Sequence, residues 1–167
     1  MPIELQNTSH KLLAIIGPTS SGKSELAVSL AKKFSGEIIS ADSRQIYQGL
    51  NLGTGKVNGL WTAVHPELVQ PSEGFLKSKK LINMQFIYKG IAHHLIDFIN
   101  PTRQYSVSLF QQDARKIIID IIRRGKLPIL CGGTAHWVDA VVYNQTLPEV
   151  KPNLKLRELL KKQSVGV

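Results

Sequence analysis

The chain has 167 residues, 43% hydrophobic and 20% charged, which fits one folded globular domain and excludes disordered, collagen-like and low-complexity classes. Cys131 is the only cysteine, so an intrachain disulfide and a paired-cysteine metal knuckle are excluded, and a reducing, cytosolic setting is expected. Lysines and arginines number 21 against 12 acids, a formal charge of +9 that favours nucleic acid or phosphate-rich ligands as partners, although ordinary basic proteins share this balance.

In chain order, the first ten residues carry an acid where a signal peptide wants bases, and Leu12–Ile16 is too short an apolar run for one. That run reads instead as a strand closed by Gly17-Pro18. A helix is predicted after Gly22, with Leu26, Ala27, Leu30, Ala31 and Phe34 at helical spacing and Gly36 as its stop. Glu37–Ser40 is a second strand. Residues 57–92 are less regular, with Gly59, Pro66, Pro71, Gly74 and the basic run Lys77–Lys80, and read as an insertion with some regular structure near Leu81–Tyr88.

Order returns with a predicted strand at His93–Phe98. A helix at Ser106–Arg124 follows, with Leu109, Phe110, Ala114, Ile117, Ile118 and Ile121 on one face and Gly125 as its stop. Pro128–Cys131 reads as a buried strand ended by Gly132-Gly133, and helices are predicted at Ala135–Tyr143 and Asn153–Lys162. The longest apolar stretches, such as Lys116–Ile122, fall far short of the roughly 18 residues that cross a bilayer, so no membrane partner is expected. Strands alternating with helices predict an α/β three-layer sandwich with a mostly parallel central sheet.

Three clusters carry chemistry. Gly17-Pro18-Thr19-Ser20-Ser21-Gly22-Lys23-Ser24 matches the G-x-x-x-x-G-K-[ST] phosphate loop and lies between a strand and a helix, where that loop works. Its backbone N–H groups would surround phosphate oxygens, Lys23 would neutralise the terminal phosphate and Ser24 would help hold Mg²⁺. The second cluster, Asp42-Ser43-Arg44-Gln45, follows the second strand, where open α/β sheets bind ligands. Asp42 there suits a general base or a water-mediated Mg²⁺ contact, or merely the cap of a following helix. In the third, Gly132-Gly133-Thr134, the glycines permit close backbone approach, and the Thr134 hydroxyl suits a ligand contact or a helix cap.

His93 and His94 are adjacent on a strand and point to opposite faces, so they cannot chelate one ion together. Asp97 suits a Mg²⁺ contact or a turn, and the turn is the simpler reading. Cys131, in an apolar strand, reads as inert core.

The phosphate loop, Ala41–Lys56, His93–Phe110 and Arg124–Thr134, in that order, closely resemble the tRNA dimethylallyltransferase (isopentenyl-tRNA transferase) family from about Leu12 to Arg157, apart from residues 57–92. The resemblance implies a phosphate-loop NTPase-like fold. It implies transfer of a dimethylallyl group from dimethylallyl diphosphate to N6 of the adenosine beside the anticodon, position 37 of the tRNA, with Mg²⁺ as cofactor. It further implies Asp42 as the base, with Thr134 beside it in the catalytic site, and residues 17–24 as the diphosphate cradle. Asp42, Ser43, Arg44, Gln45, Thr134 and, less securely aligned, Arg157 match the tRNA-contacting positions.

Three departures stand out. Ala135-His136-Trp137 replaces the family's usual Gly-Leu-Tyr, residues 57–92 run long, and the chain is about half the common length. The expected division is a catalytic core at 1–150 and the start of a truncated helical tRNA-binding region at 151–167, in a cytoplasmic monomer. Alternatives are an adenylate isopentenyltransferase acting on free AMP or ATP, a small kinase, or an inactive remnant.

Overall fold

The structure, a computed structural model, describes residues 11–63, 84–147 and 153–162. Its elements run β1 (Leu13–Ile16), α1 (Lys23–Lys33), β2 (Gly36–Ser40), β3 (Leu60–Ala63), β4 (Met84–Tyr88), β5 (Ile91–His94), α2 (Val107–Arg123), β6 (Leu127–Gly132), α3 (Ala135–Val142) and α4 (Leu154–Lys162). The six strands form one sheet in the order β1-β6-β2-β5-β4-β3. The pairs β1–β6, β6–β2 and β2–β5 are parallel, while β5–β4 and β4–β3 form an antiparallel edge. This is the expected α/β three-layer, phosphate-loop-like sandwich.

Strand alternation builds a core on each face. Ile15, Ile38, Ile129 and Cys131 meet Ala27, Val28 and Ala31 of α1 on one side. On the other side Ile39, Ala41 and Leu130 meet Phe110, Ala114, Ile118 and Ile121 of α2 and Trp137, Val138 and Val141 of α3. Neighbouring residues such as Ile38 and Ile39 thus serve opposite cores, which is why β2 is buried along its whole length.

Several expectations are refined. Leu26 of α1 and Phe34 just past its end remain exposed, while Val28 of α1 is buried. The left-handed residue after α1 is Ser35, at φ 50°, and Gly36 already belongs to β2. A Cβ on Gly36 would come within 2.8 Å of the Leu127 carbonyl, so the strand pair requires glycine there. The strand expected at His93–Phe98 ends at His94, because Leu95 and Asp97 adopt φ values of 54° and 53°. Residues 57–92 supply β3, β4 and the start of β5 to the sheet. The lysine run at 77–80 lies outside the described residues, as does Pro148.

Trp137 stacks on Phe110 with ring centroids 4.4 Å apart and meets Tyr105 edge-on at 5.9 Å. The indole of the Ala135-His136-Trp137 departure is thus packed among aromatic rings at the start of α3. Gln111, buried in α2, donates to the carbonyls of Ala140 and Gln145 and ties down the end of α3.

Candidate active site

The phosphate loop joins β1 to α1 at the carboxyl ends of the parallel strands. Ser20 at φ 65° and Gly22 at φ 81° turn the chain through left-handed conformations, and residues 18–22 are exposed. Such a turn before a helix aims successive N–H groups outward as an anion nest. Lys23 is buried, and its ammonium donates to the Pro18 carbonyl at 2.9 Å, curled over the loop. Ser24 is half-buried and lines the adjoining cleft.

Asp42 stands just past β2 and is buried. No helix follows it, so the capping role considered from sequence does not occur. Its Oδ1 accepts the Arg44 N–H at 3.0 Å in a tight turn. Oδ2 lies toward Gly133, 3.8 Å from where a Cβ on that residue would stand, and the same Cβ would be 3.3 Å from the Gly17 carbonyl. At Gly132 the fit is closer still: a Cβ would overlap the Ala41 carbonyl at 2.1 Å, so the ends of β2 and β6 meet only because residue 132 has no side chain.

Thr134 does not cap α3 with its side chain. Its N–H donates to the Ala41 carbonyl at 3.2 Å, and its Oγ1 accepts the Ser43 N–H at 3.0 Å. The threonine thus shapes the acidic turn across a sequence separation of 91 residues. Arg44 is exposed and Ser43 half-buried. Gln45 is buried: its Oε1 accepts from the Ser40 hydroxyl and its amide donates to the Thr54 carbonyl. Arg157 is exposed on α4 and takes no part in this convergence.

A small cleft opens beside the loop. Lys23, Ser24, Ser40 and Gln45 supply polar walls, while Ala27, Ile38, Val57 and Ile96 are among its apolar ones. Cys131 and His93 also line it. Burial pushes the Cys131 thiol up to about 11, which agrees with an inert thiol. Burial also pushes the His93 ring down to about 4, so it is neutral at physiological pH. His94 turns to the other face, where it meets Glu37 at 2.8 Å, as strand alternation requires.

Among the described residues no three His, Cys, Asp or Glu side chains cluster to hold a metal. The oxygen groups present, the Ser24 hydroxyl and the Asp42 carboxylate, suit Mg²⁺, which binds through few protein oxygens together with waters and substrate phosphates. Asp97 does not belong to that set, contrary to the Mg²⁺ contact considered for it. Its Oδ1 pairs with the Lys56 ammonium at 2.6 Å and its Oδ2 accepts the Trp61 indole N–H at 3.2 Å. Spacing assigns Lys56 no role, and its only signal in the sequence is the Thr54-Gly55-Lys56 step that closes the segment.

Two family models match the chain: isopentenyl transferase over residues 10–70 and IPP transferase over residues 83–166. A tRNA dimethylallyltransferase of Leuconostoc citreum is 41% identical over 93% of this chain and 44% of its own length. The crystal structure of a tRNA isopentenylpyrophosphate transferase from Bacillus halodurans superposes with a TM-score of 0.64 at 35% identity, over 91% of this chain and 42% of that one. A eukaryotic dimethylallyltransferase caught acting on tRNA gives a TM-score of 0.59 at 28% identity, over 93% of this chain and 33% of its own. The chain spans about two fifths of the length of the curated relatives it matches. No helix among the described residues is long and apolar enough to cross a membrane. With one family model covering half of its residues and relatives this similar along nine tenths of it, the chain belongs to the IPP transferase family.

Proposed function

We propose that this chain carries the catalytic centre of a tRNA dimethylallyltransferase, moving a dimethylallyl group from its diphosphate to N6 of the adenosine beside the anticodon. The observation that carries the reading is the meeting of Asp42, Gly133 and the phosphate loop at the adjacent ends of β2, β6 and β1. A base and a diphosphate cradle on one rim are what the chemistry needs. The adenine amine is a weak nucleophile because its lone pair is delocalised into the ring, so a group that takes its proton assists attack. In the step, N6 bonds to the first prenyl carbon as that carbon's bond to the diphosphate oxygen breaks. The N6 proton passes to Asp42, and the bond's electron pair leaves with diphosphate.

Within that step the loop N–H groups of residues 19–24, other than the Ser21 N–H that bonds the Pro18 carbonyl, and the Lys23 ammonium bind the leaving group and stabilise its growing charge. The Ser24 hydroxyl would hold Mg²⁺, with Asp42 near through water, and the ion would add charge neutralisation at the diphosphate. The apolar walls at Ala27, Ile38, Val57 and Ile96 suit the short prenyl tail. Thr134 keeps Ser43 and the Asp42 turn in place, and exposed Arg44 is the side chain free to meet RNA phosphate. The target base leaves its stack to enter such a site, at least cost from a single-stranded loop.

Residues 1–150 are the catalytic core on this reading, and 151–167 begin a helical RNA-holding region. Exposed Lys155, Arg157 and Lys161 on α4 support that role. A tRNA substrate supports a cytoplasmic setting. Free AMP as acceptor is not favoured, since the similar proteins bear tRNA names.

Titration of dimethylallyl diphosphate with Mg²⁺ into the purified chain tests the donor half. Saturable binding is expected, weakened about tenfold or more in Lys23→Ala. A folded chain that binds none would overturn the reading.

A further inference from the structure

The Lys56 side chain is 3% exposed, and a buried ammonium is costly unless each of its three donors finds an acceptor. Here all three do: the Tyr47 carbonyl at 2.6 Å, Asn51 Oδ1 at 3.1 Å and Asp97 Oδ1 at 2.6 Å. Asp97 in turn accepts the Trp61 indole N–H, which brings β3 into the same knot. One charge therefore ties the turn at Tyr47, the loop at Asn51, the left-handed bend at Asp97 and the sheet's antiparallel edge.

The segment this knot fixes reaches the cleft at Val57. The Thr54 carbonyl receives the Gln45 amide, Gly55 sits so close to the phosphate-loop residue Thr19 that a Cβ would be 3.2 Å from its methyl, and Val57 forms part of the cleft wall. The phosphate loop also has holds of its own, the Ser21 N–H on the Pro18 carbonyl and the start of α1.

We propose that Lys56, paired with Asp97, is a positioning residue that sets residues 54–57 so that Val57 stands in the wall against which the prenyl tail of the donor packs. The inference rests on the donor reading above. It separates two halves of donor recognition: the loop grips the diphosphate, and the latched segment shapes the tail site.

The test compares two probes, inorganic diphosphate and dimethylallyl diphosphate, each titrated with Mg²⁺ into the wild-type chain, Lys56→Met and Asp97→Asn. Circular dichroism well below the melting temperature first establishes that each variant is folded. Inorganic diphosphate should bind all three within about twofold. Dimethylallyl diphosphate should bind Lys56→Met about tenfold more weakly, and Asp97→Asn about threefold more weakly because the amide still accepts one hydrogen bond. A merely structural role would lower the melting temperature without separating the two probes. Should Lys56→Met fail to fold, Asp97→Asn decides alone. Folded variants that bind the prenyl donor like wild type, or lose both probes equally, would overturn the latch. A wild-type chain that binds neither probe overturns the donor reading itself, and the latch falls with it.

Discussion

Asp42 commits one carboxylate oxygen to the Arg44 N–H and leaves the other toward Gly133, so the group is oriented before any substrate arrives. Replacing it by Asn preserves the turn and removes the proton acceptor. Asp42→Asn should therefore retain donor binding and lower turnover by about 10²-fold or more, read by single-turnover kinetics. Unchanged turnover would remove Asp42 from the base role. Thr134→Val takes away the acceptor of the Ser43 N–H while keeping volume. It should cut turnover about tenfold with donor affinity unchanged, by loosening the turn that carries Asp42. The residue types at both positions were legible in sequence, because Asp42 and the Gly132-Gly133-Thr134 step each follow an apolar strand. The use of Thr134 was not, since its partner is 91 residues away and capping is the local alternative. For the same reason the Lys56–Asp97 pair, 41 residues apart, was invisible to spacing.

Helices were the more legible elements, because α2 and α3 carry clear apolar faces and α2 begins at a side-chain cap, the Ser106 hydroxyl accepting the Leu109 N–H. The sheet edge was less so. β3 has mostly exposed residues and no alternation to signal it, and β5 ends early because Asp97 is drawn to Lys56 and Trp61. At the start of β2, burial alone would raise the Glu37 carboxyl, but hydrogen bonds from Arg124, His94 and Lys126 outweigh it and hold the group well below the usual carboxylate range. A carboxylate depressed in the folded state adds stability that is complete above its ordinary value of 4.5 and is lost as the pH falls below it. Glu37→Gln should thus cost about 3 kcal/mol at pH 7 and flatten the acid limb below pH 4.5, measured by denaturant melts across pH. An acid limb as steep as wild type would show that the cluster does not supply it.

The two cores of the whole molecule sit on opposite faces of one sheet, so a defect in either loosens the strands whose ends carry the site. Phe110 is fully buried and stacked on Trp137, and Phe110→Ala should cost about 3–5 kcal/mol, seen as a lowered melting temperature. The charge of +9 should make RNA affinity fall steeply with salt, whereas the loop's hold on diphosphate depends on local N–H groups. The central proposal at this scale is that the rim where three sequence clusters meet joins a prenyl group to an adenine of tRNA. Mass spectrometry of products tests it most directly. The chain is incubated with dimethylallyl diphosphate and Mg²⁺, together with either an unmodified anticodon stem-loop bearing adenosine beside the anticodon, or AMP. The account predicts the mass gain of one dimethylallyl group on the stem-loop, located to that adenosine, and none on AMP. A gain on AMP alone, or no gain on either from a folded chain that binds the donor, would contradict it.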